Sequence, residues 1–218
     1  MTEPTPLASG READVFALDD KRVLRRYRRA ADTTGEAAAM AYVGGLGYPV
    51  PEVFAARGNE MVLERLDGPT MAQAMTAGQA SLETGAETLA GLIRRLHELP
   101  PWPGSDQRGS VLHLDLHPEN VMLTSRGPVV IDWCNARVGD ADLDTGLSAL
   151  ILAQVAIDGT HPMAAVAGDF LDALLPLLPG DPTRLLDQVV KFRAGQLTMA
   201  SDDLAALDEA AAWVRGER

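Results

Sequence analysis

The sequence predicts an α+β chain in two lobes, a small antiparallel sheet with one helix followed by a larger, mainly helical lobe. Three observations predict it. Four short apolar segments separated by turn signals precede residue 66, the spacing becomes helical after Asp67-Gly68-Pro69, and four more helical stretches follow residue 141. The expected division is residues 1–66 and 67–218, with a hinge near 65–69.

Taken in order, ADVFAL and RVLRRY flank Asp19-Asp20 and mix β-branched or aromatic residues with charges, the pattern of a hairpin. From Thr33 or Thr34, GEAAAMAYVGGL is rich in helix formers and ends in glycines, as an N-capped helix with a glycine stop does. PEVFAA and EMVLERL flank Arg57-Gly58-Asn59 and read as a second strand pair. Beyond the hinge, Leu82, Ala86, Leu89, Ile93 and Leu96 fall on one helical face, and the helix stops before Pro100-Pro101. Residues 111–114 and 128–132 read as short buried strands, and helices are expected at about 142–157, 162–178, 183–198 and 202–215.

Composition narrows the function. A net charge of −12 argues against sequence-independent nucleic-acid binding, which depends on Lys and Arg neutralising phosphates. No segment reaches the roughly 18 apolar residues of a membrane span, and the first residues lack a basic start followed by an apolar stretch. Cys134 is the only cysteine, so no disulfide framework exists, and a cytoplasmic location is expected. At the end of an apolar strand its thiol is expected to be inert.

The chemistry concentrates in residues 111–136. Asp115 and Asn120 share one short loop, and Asp132 ends GPVVID, a run too apolar to leave a carboxylate without a partner. A carboxylate can orient a hydroxyl and take its proton, and hard oxygen donors can hold magnesium. His113-Leu114-Asp115-Leu116-His117-Pro118-Glu119-Asn120 followed by Ile131-Asp132-Trp133 resembles the aminoglycoside phosphotransferase and choline kinase group of small-molecule kinases, which have a protein kinase-like fold. That resemblance implies ATP or GTP with Mg2+ as cofactors. It makes Asp115 the catalytic base, Asn120 and Asp132 the magnesium ligands, and His113 a support for the loop. The acceptor it implies is a hydroxyl of a small molecule, cationic where the substrate is an aminoglycoside; other antibiotics, sugars and metabolites fit as well.

Extended to the first lobe, the resemblance places Gly10 in the loop covering the phosphates and Val23 and Arg25 on the strand facing the nucleotide. Glu36 becomes the ion-pair partner of Arg25, and the main chain near Glu64 and Leu66 reads the adenine edge. Arg25 stands where such kinases carry lysine, and a guanidinium grips phosphate as a fork rather than a point charge. In Gly139-Asp140-Ala141-Asp142-Leu143-Asp144 the last aspartate matches a loop and helix-start anchor. Asp169, Asp172, Asp187, Asp202, Asp203, Asp208 and Glu209 could line an amine pocket, although solvated helix faces in an acidic protein account better for any one of them. Two rivals remain at this level. One is a pseudokinase-like module that binds nucleotide or ligand without turnover, suggested by Arg25 and the glycine-poor loop. The other is a metal-dependent hydrolase in which His113, Asp115 and His117 alternate along a strand as ligands, leaving His97 and His161 as surface or capping residues.

Overall fold

The structure, a computed structural model, describes residues 6–10, 12–160, 163–196 and 201–217, with the side chains of 201–205 outside the description. Arg11, His161 and the side chains of Asp202 and Asp203 therefore lie outside the described residues.

The first part is a five-stranded antiparallel sheet: β1 (Ala8–Ser9), β2 (Ala13–Ala17), β3 (Arg22–Tyr27), β4 (Val53–Arg57) and β5 (Glu60–Glu64), in the order β1-β2-β3-β5-β4. The Asp19 carboxylate accepts the N–H groups of Lys21 and Arg22, both at 2.8 Å, which fixes the β2–β3 turn. Register sets Arg25 opposite Val15 on one side and Met61 on the other, so Val23, Arg25 and Tyr27 share a face, as strand alternation requires. Helix α1 (Thr34–Gly45) crosses between β3 and β4, and Gly47, at φ +83, takes the left-handed turn that stops it.

The chain leaves the sheet through Asp67-Gly68-Pro69, which is pinned rather than loose. The N–H of Leu123 donates to Pro69 O at 2.8 Å, and the N–H of Ser125 donates to Asp67 Oδ1 at 3.2 Å. Gly68 has φ +83, and a Cβ on it would stand 2.1 Å from Leu123 O. Gly68→Ala is therefore expected to destabilise the protein by roughly 3 kcal/mol or more, since both strain and a backbone clash oppose it. A urea melt reads that loss directly, and an unchanged midpoint would contradict it.

The second part begins with α2 (Met71–Thr76) and α3 (Leu82–His97), followed by β6 (Ser110–Leu112), a 3-10 turn at Pro118–Asn120, β7 (Val121–Thr124), β8 (Gly127–Val130) and β9 (Arg137–Gly139). Four helices complete it: α4 (Ala141–Ile157), α5 (Ala164–Leu174), α6 (Leu186–Gln196) and α7 (Ser201–Val214). The six residues of α2 are too few to show a period; a Thr70–Gln73 capping box starts the helix instead. β6 pairs with β9 and β7 with β8, so each strand expected beside the loop carrying Asp115 and Asn120 has a partner that spacing alone did not separate. Helix α4 buries Asp142 and the unbroken run from Asp144 to Ala153, an all-round burial that fits a helix packed against α5, α6 and α7. Leu112, Leu114, Leu116, Trp133, Leu147 and Leu150 belong to the core beneath the loop. Among the described residues no helix is long and apolar enough to cross a membrane.

Candidate active site

The loop after β6 is held from below by one carboxylate. Asp144, on the first turn of α4, is fully buried and accepts the N–H of Leu114 at 2.6 Å and that of His113 at 3.3 Å. Its Oδ2 also lies 2.9 Å from His97 Nε2, which must carry the hydrogen because an ionised carboxylate only accepts. Burial opposes the charge on Asp144, but the His97 hydrogen bond and the neighbouring donors outweigh it and hold the carboxyl below its ordinary value. His97 is thus an interior anchor and not a surface or capping residue.

These bonds force Leu114 into the left-handed region at φ 61, which costs a non-glycine residue about 1–2 kcal/mol. The chain then turns, so Asp115 and His113 do not follow strand alternation. His113 is buried, its Nε2 donates to Ile131 O at 3.0 Å, and its ring meets Trp133 edge-on at 4.8 Å. His113 therefore braces the loop. The alternating metal-ligand arrangement is not formed, and among the described residues no three His, Cys, Asp or Glu side chains gather to hold a metal.

Asp115 and Asn120 meet directly. The Asn120 Nδ2 group donates to Asp115 Oδ2 at 3.2 Å and to Asp115 O at 2.8 Å, and lies 3.2 Å from His117 Nε2. With acceptors all on its nitrogen side, the amide turns Oδ1 the other way, as a hard oxygen donor. Ile131 N–H donates to Asn120 O at 3.0 Å, which ties this turn to the segment ending at Asp132. Burial opposes the Asp115 charge, yet the His117 contact, then His113 and Arg193, bring its carboxyl below the ordinary value, so it is ionised at neutral pH. Arg193 of α6 reaches to 3.9 Å from Asp115 Oδ1, and its Nε donates to Gln154 at 2.9 Å. Nothing in the spacing of the sequence points to that arginine.

Asp132 also lies in the left-handed region, at φ 66. Arg25 joins it to the sheet: NH2 is 2.6 Å from Asp132 Oδ1 and NH1 is 2.8 Å from Glu36 Oε1. Glu36 further accepts the Tyr27 hydroxyl at 2.7 Å and the Trp133 N–H at 3.2 Å. Burial alone would lower the Arg25 pKa, but Asp132 and Glu36 together drive it upward, so the guanidinium stays charged. The Tyr27 ring lies 4.8 Å from the Arg25 guanidinium carbon. Tyr27 and Trp133 were missed as site residues because an apolar-looking strand end gives no sign of a hydrogen-bonding role.

The remaining expected residues are more dispersed. Val23 sits on the Arg25 face between Ala17 and Leu63. The Gly10 N–H is used inside its own turn, donating to Ala13 O at 2.9 Å, while Gly10 O accepts from Arg28 at 2.9 Å. The Glu64 N–H donates to Glu52 O at 2.8 Å, and its carboxylate pairs with Arg126 at 2.7 Å. Among the described residues no hydrogen bond engages the main chain of Leu66. Asp187 pairs with Arg215 at 2.8 Å, and Asp172 accepts from Trp213 at 3.3 Å, so both serve helix packing. Cys134 is exposed in the turn after Trp133 rather than inside a strand.

Comparison with known proteins gives this arrangement its family. The sequence matches the profile of the phosphotransferase enzyme family, APH, over residues 3–109 and 98–185. The chain belongs to this phosphotransferase family. No curated protein sequence is similar enough to be matched. Among solved structures, APH(2″)-IIa in a ternary complex with streptomycin and ATP aligns over 98% of this chain and 93% of its own, with TM-score 0.57 and 13% identity. The GDP complex of aminoglycoside 2′-phosphotransferase-IIIa aligns over 95% and 91%, with TM-score 0.57 and 14% identity. APH(3″)-Id from Streptomyces rimosus ATCC10970 aligns over 95% and 92%, with TM-score 0.52 and 16% identity. At these identities the likeness is one of fold: the chain is a two-lobed, kinase-like APH protein and, by family, a small-molecule phosphotransferase.

Proposed function

We propose that this APH-family chain transfers the γ-phosphoryl group of ATP or GTP to a hydroxyl of a small molecule, in a magnesium-dependent reaction in the cytoplasm. The observation that carries the reading is the meeting of Asp115 with Asn120 beside Asp132, with Asp132 joined to Glu36 through Arg25. Residues 1–66 serve the nucleotide and residues 67–218 supply the loop, the metal ligands and the acceptor site. The nucleotide complexes among the similar folds, with ATP and with GDP, lend support to either triphosphate.

Asn120 Oδ1 and Asp132 fit a magnesium ion, which when bound would neutralise charge on the phosphates. Asp115 accepts the proton of the acceptor hydroxyl as its oxygen forms a bond to the γ-phosphorus. The bond from that phosphorus to the β,γ-bridging oxygen breaks, the nucleoside diphosphate leaves, and Asp115 gives its proton to solvent. Arg25, held by Glu36 through NH1 and paired with Asp132 through NH2, supplies positive charge beside the phosphates.

The test is isothermal titration with ATP and with GTP, each with and without magnesium, followed by release of diphosphate in the presence of hydroxyl acceptors. Magnesium-dependent binding with turnover supports the kinase; binding without any turnover supports the pseudokinase-like reading, which the arginine at position 25 motivates. Arg25 also yields a graded expectation. Arg25→Ala should weaken nucleotide binding by roughly tenfold or more, in line with about 1.5–3 kcal/mol per charge-assisted hydrogen bond. Arg25→Lys should restore most of it, and equal loss in both variants would mean that the fork itself is required.

A further inference from the structure

We propose that Arg193 is an acceptor-binding residue and that the acceptor it receives carries a carboxylate close to the reacting hydroxyl. The inference rests on the phosphotransferase reading and narrows its substrate.

The two oxygens of Asp115 have different surroundings. Oδ2 takes the Asn120 amide at 3.2 Å, on the side of the proposed metal ligand. Oδ1 is left for the acceptor hydroxyl, and two nitrogens face it: His117 Nε2 at 3.7 Å and Arg193 NH1 at 3.9 Å. Of these two groups the guanidinium is the one with a permanent charge. A small molecule can reach the pair, since the Asp115 side chain is 21% exposed and that of Arg193 15%.

At 3.9 Å, Arg193 stands too far from Asp115 for a direct hydrogen bond. The gap instead suits the oxygens of a ligand. A hydroxyl donating to Oδ1 at about 2.8 Å leaves NH1 within reach of an oxygen on a neighbouring carbon of the same molecule. NH1 carries two hydrogens and donates to Gln196 Oε1 at 3.3 Å, while Nε donates to Gln154 Oε1 at 2.9 Å. These neutral amides, one on α6 and one on α4, fix the guanidinium without cancelling its charge. A planar donor group that is already held in place loses little side-chain freedom when it binds a carboxylate.

The charge beside α6 has the same sign. Arg137 of β9 lies over the ring of Phe192, its guanidinium carbon 4.6 Å from the centroid, and among the described residues no carboxylate is within ion-pair distance of it. Arg137 pairs with Leu112 of β6, three residues before Asp115, so a second guanidinium flanks the entry to the loop. Asp172 and Asp187, candidates for an amine pocket, are engaged in helix packing instead. The Asp115 carboxylate is occupied by the reacting hydroxyl. An ammonium group beside Arg193 would therefore meet like charge and lose hydration, whereas a carboxylate would gain charge-assisted hydrogen bonds.

The test uses the full chain, with whichever of magnesium-ATP and magnesium-GTP it binds more tightly, and two matched pairs of acceptors. These are glycerate against glycerol and gluconate against sorbitol, with kanamycin as a polycation. Steady-state diphosphate release gives kcat and KM, and calorimetry with the magnesium-nucleotide reports whether each variant has folded. At least one acid is expected to exceed its matched alcohol tenfold or more in kcat/KM. Arg193→Gln should raise KM for that acid at least tenfold with kcat within a few-fold, closing the gap to the alcohol. Arg193→Lys keeps the charge and should restore most of the preference. Transfer to neither acid, an alcohol or kanamycin used as well as the acid, or an acid preference that survives Arg193→Gln would overturn the proposal. Equal losses for acid and alcohol in that variant would overturn it too, because a purely structural role acts on both alike. Transfer to glycerol, sorbitol or kanamycin with no preference for an acid leaves the phosphotransferase reading standing and removes this inference alone. A chain that neither binds a magnesium-nucleotide nor releases diphosphate fails both.

Discussion

Asp115→Asn is expected to slow phosphoryl transfer by roughly 10²–10⁴-fold, the range assigned to a positioned general base, while magnesium-dependent nucleotide binding stays within a few-fold of wild type. The amide keeps the size of the carboxylate and still offers an oxygen to Asn120 Nδ2, now 3.2 Å from Asp115 Oδ2. The loop geometry should therefore survive. The capacity to take a proton is lost, because a neutral amide is not a base at any useful pH. In the wild-type protein the carboxyl is held below its ordinary value by His117 and the neighbouring cations against the opposing effect of burial, so it is ready to accept at neutral pH. Arg25 and Asp132, proposed to serve the nucleotide and its metal, lie on other elements, and their 2.6 Å contact is untouched. The measurement is a single-turnover assay with a competent acceptor, paired with calorimetry for the nucleotide. Turnover within tenfold of wild type would remove Asp115 from the base role, whereas equal loss of binding and turnover would mean that the substitution had disturbed the loop.

The parts legible in the sequence were those with local signals. Both strand pairs of the sheet, α1, α3 and the long helices announced themselves through period, turn residues and caps, and Asp115, Asn120 and Asp132 stood out through spacing. The unread parts depend on contacts between distant positions. Arg25 and Asp132 are 107 residues apart, and their 2.6 Å contact is a consequence of how α1 and the sheet dock on the loop. β7 and β9 are four and three residues long and are defined by the strands they pair with, not by any period of their own. His97 looked like the end of an exposed helix because only tertiary packing brings Asp144 beneath it. Arg193 lies in a helix of mixed polarity, where a basic residue ordinarily signals solvent.

Asp144→Ala is expected to be the most destabilising substitution in the second part of the molecule. The carboxylate has no solvent exposure and takes three donors, from His97, His113 and Leu114. Its removal leaves two buried N–H groups unpaired and deprives Leu114 of the contact that compensates its φ of 61. A loss of about 3–5 kcal/mol follows from breaking such a buried charged network, which for a chain of this size lowers Tm by roughly 6–20 °C. His97→Ala removes one donor only and should cost about 1.5–3 kcal/mol, so the pair of variants separates the side-chain contact from the backbone anchoring. pH provides an independent check. The folded carboxyl lies below its reference value of 3.8, so the folded state binds fewer protons than the unfolded chain in acid. The stabilisation is complete above that reference value and is lost as pH falls through the lower, folded value. Urea melts at pH 7 and at pH 3 should then show the gap between wild type and Asp144→Asn narrowing in acid. A gap that widened would mean that the carboxyl titrates higher when folded, with burial outweighing the donors. Asp144 makes no contact with Asp115 itself, yet turnover should fall with stability, because the left-handed turn at Leu114 that aims Asp115 toward Asn120 exists only while Asp144 holds both N–H groups.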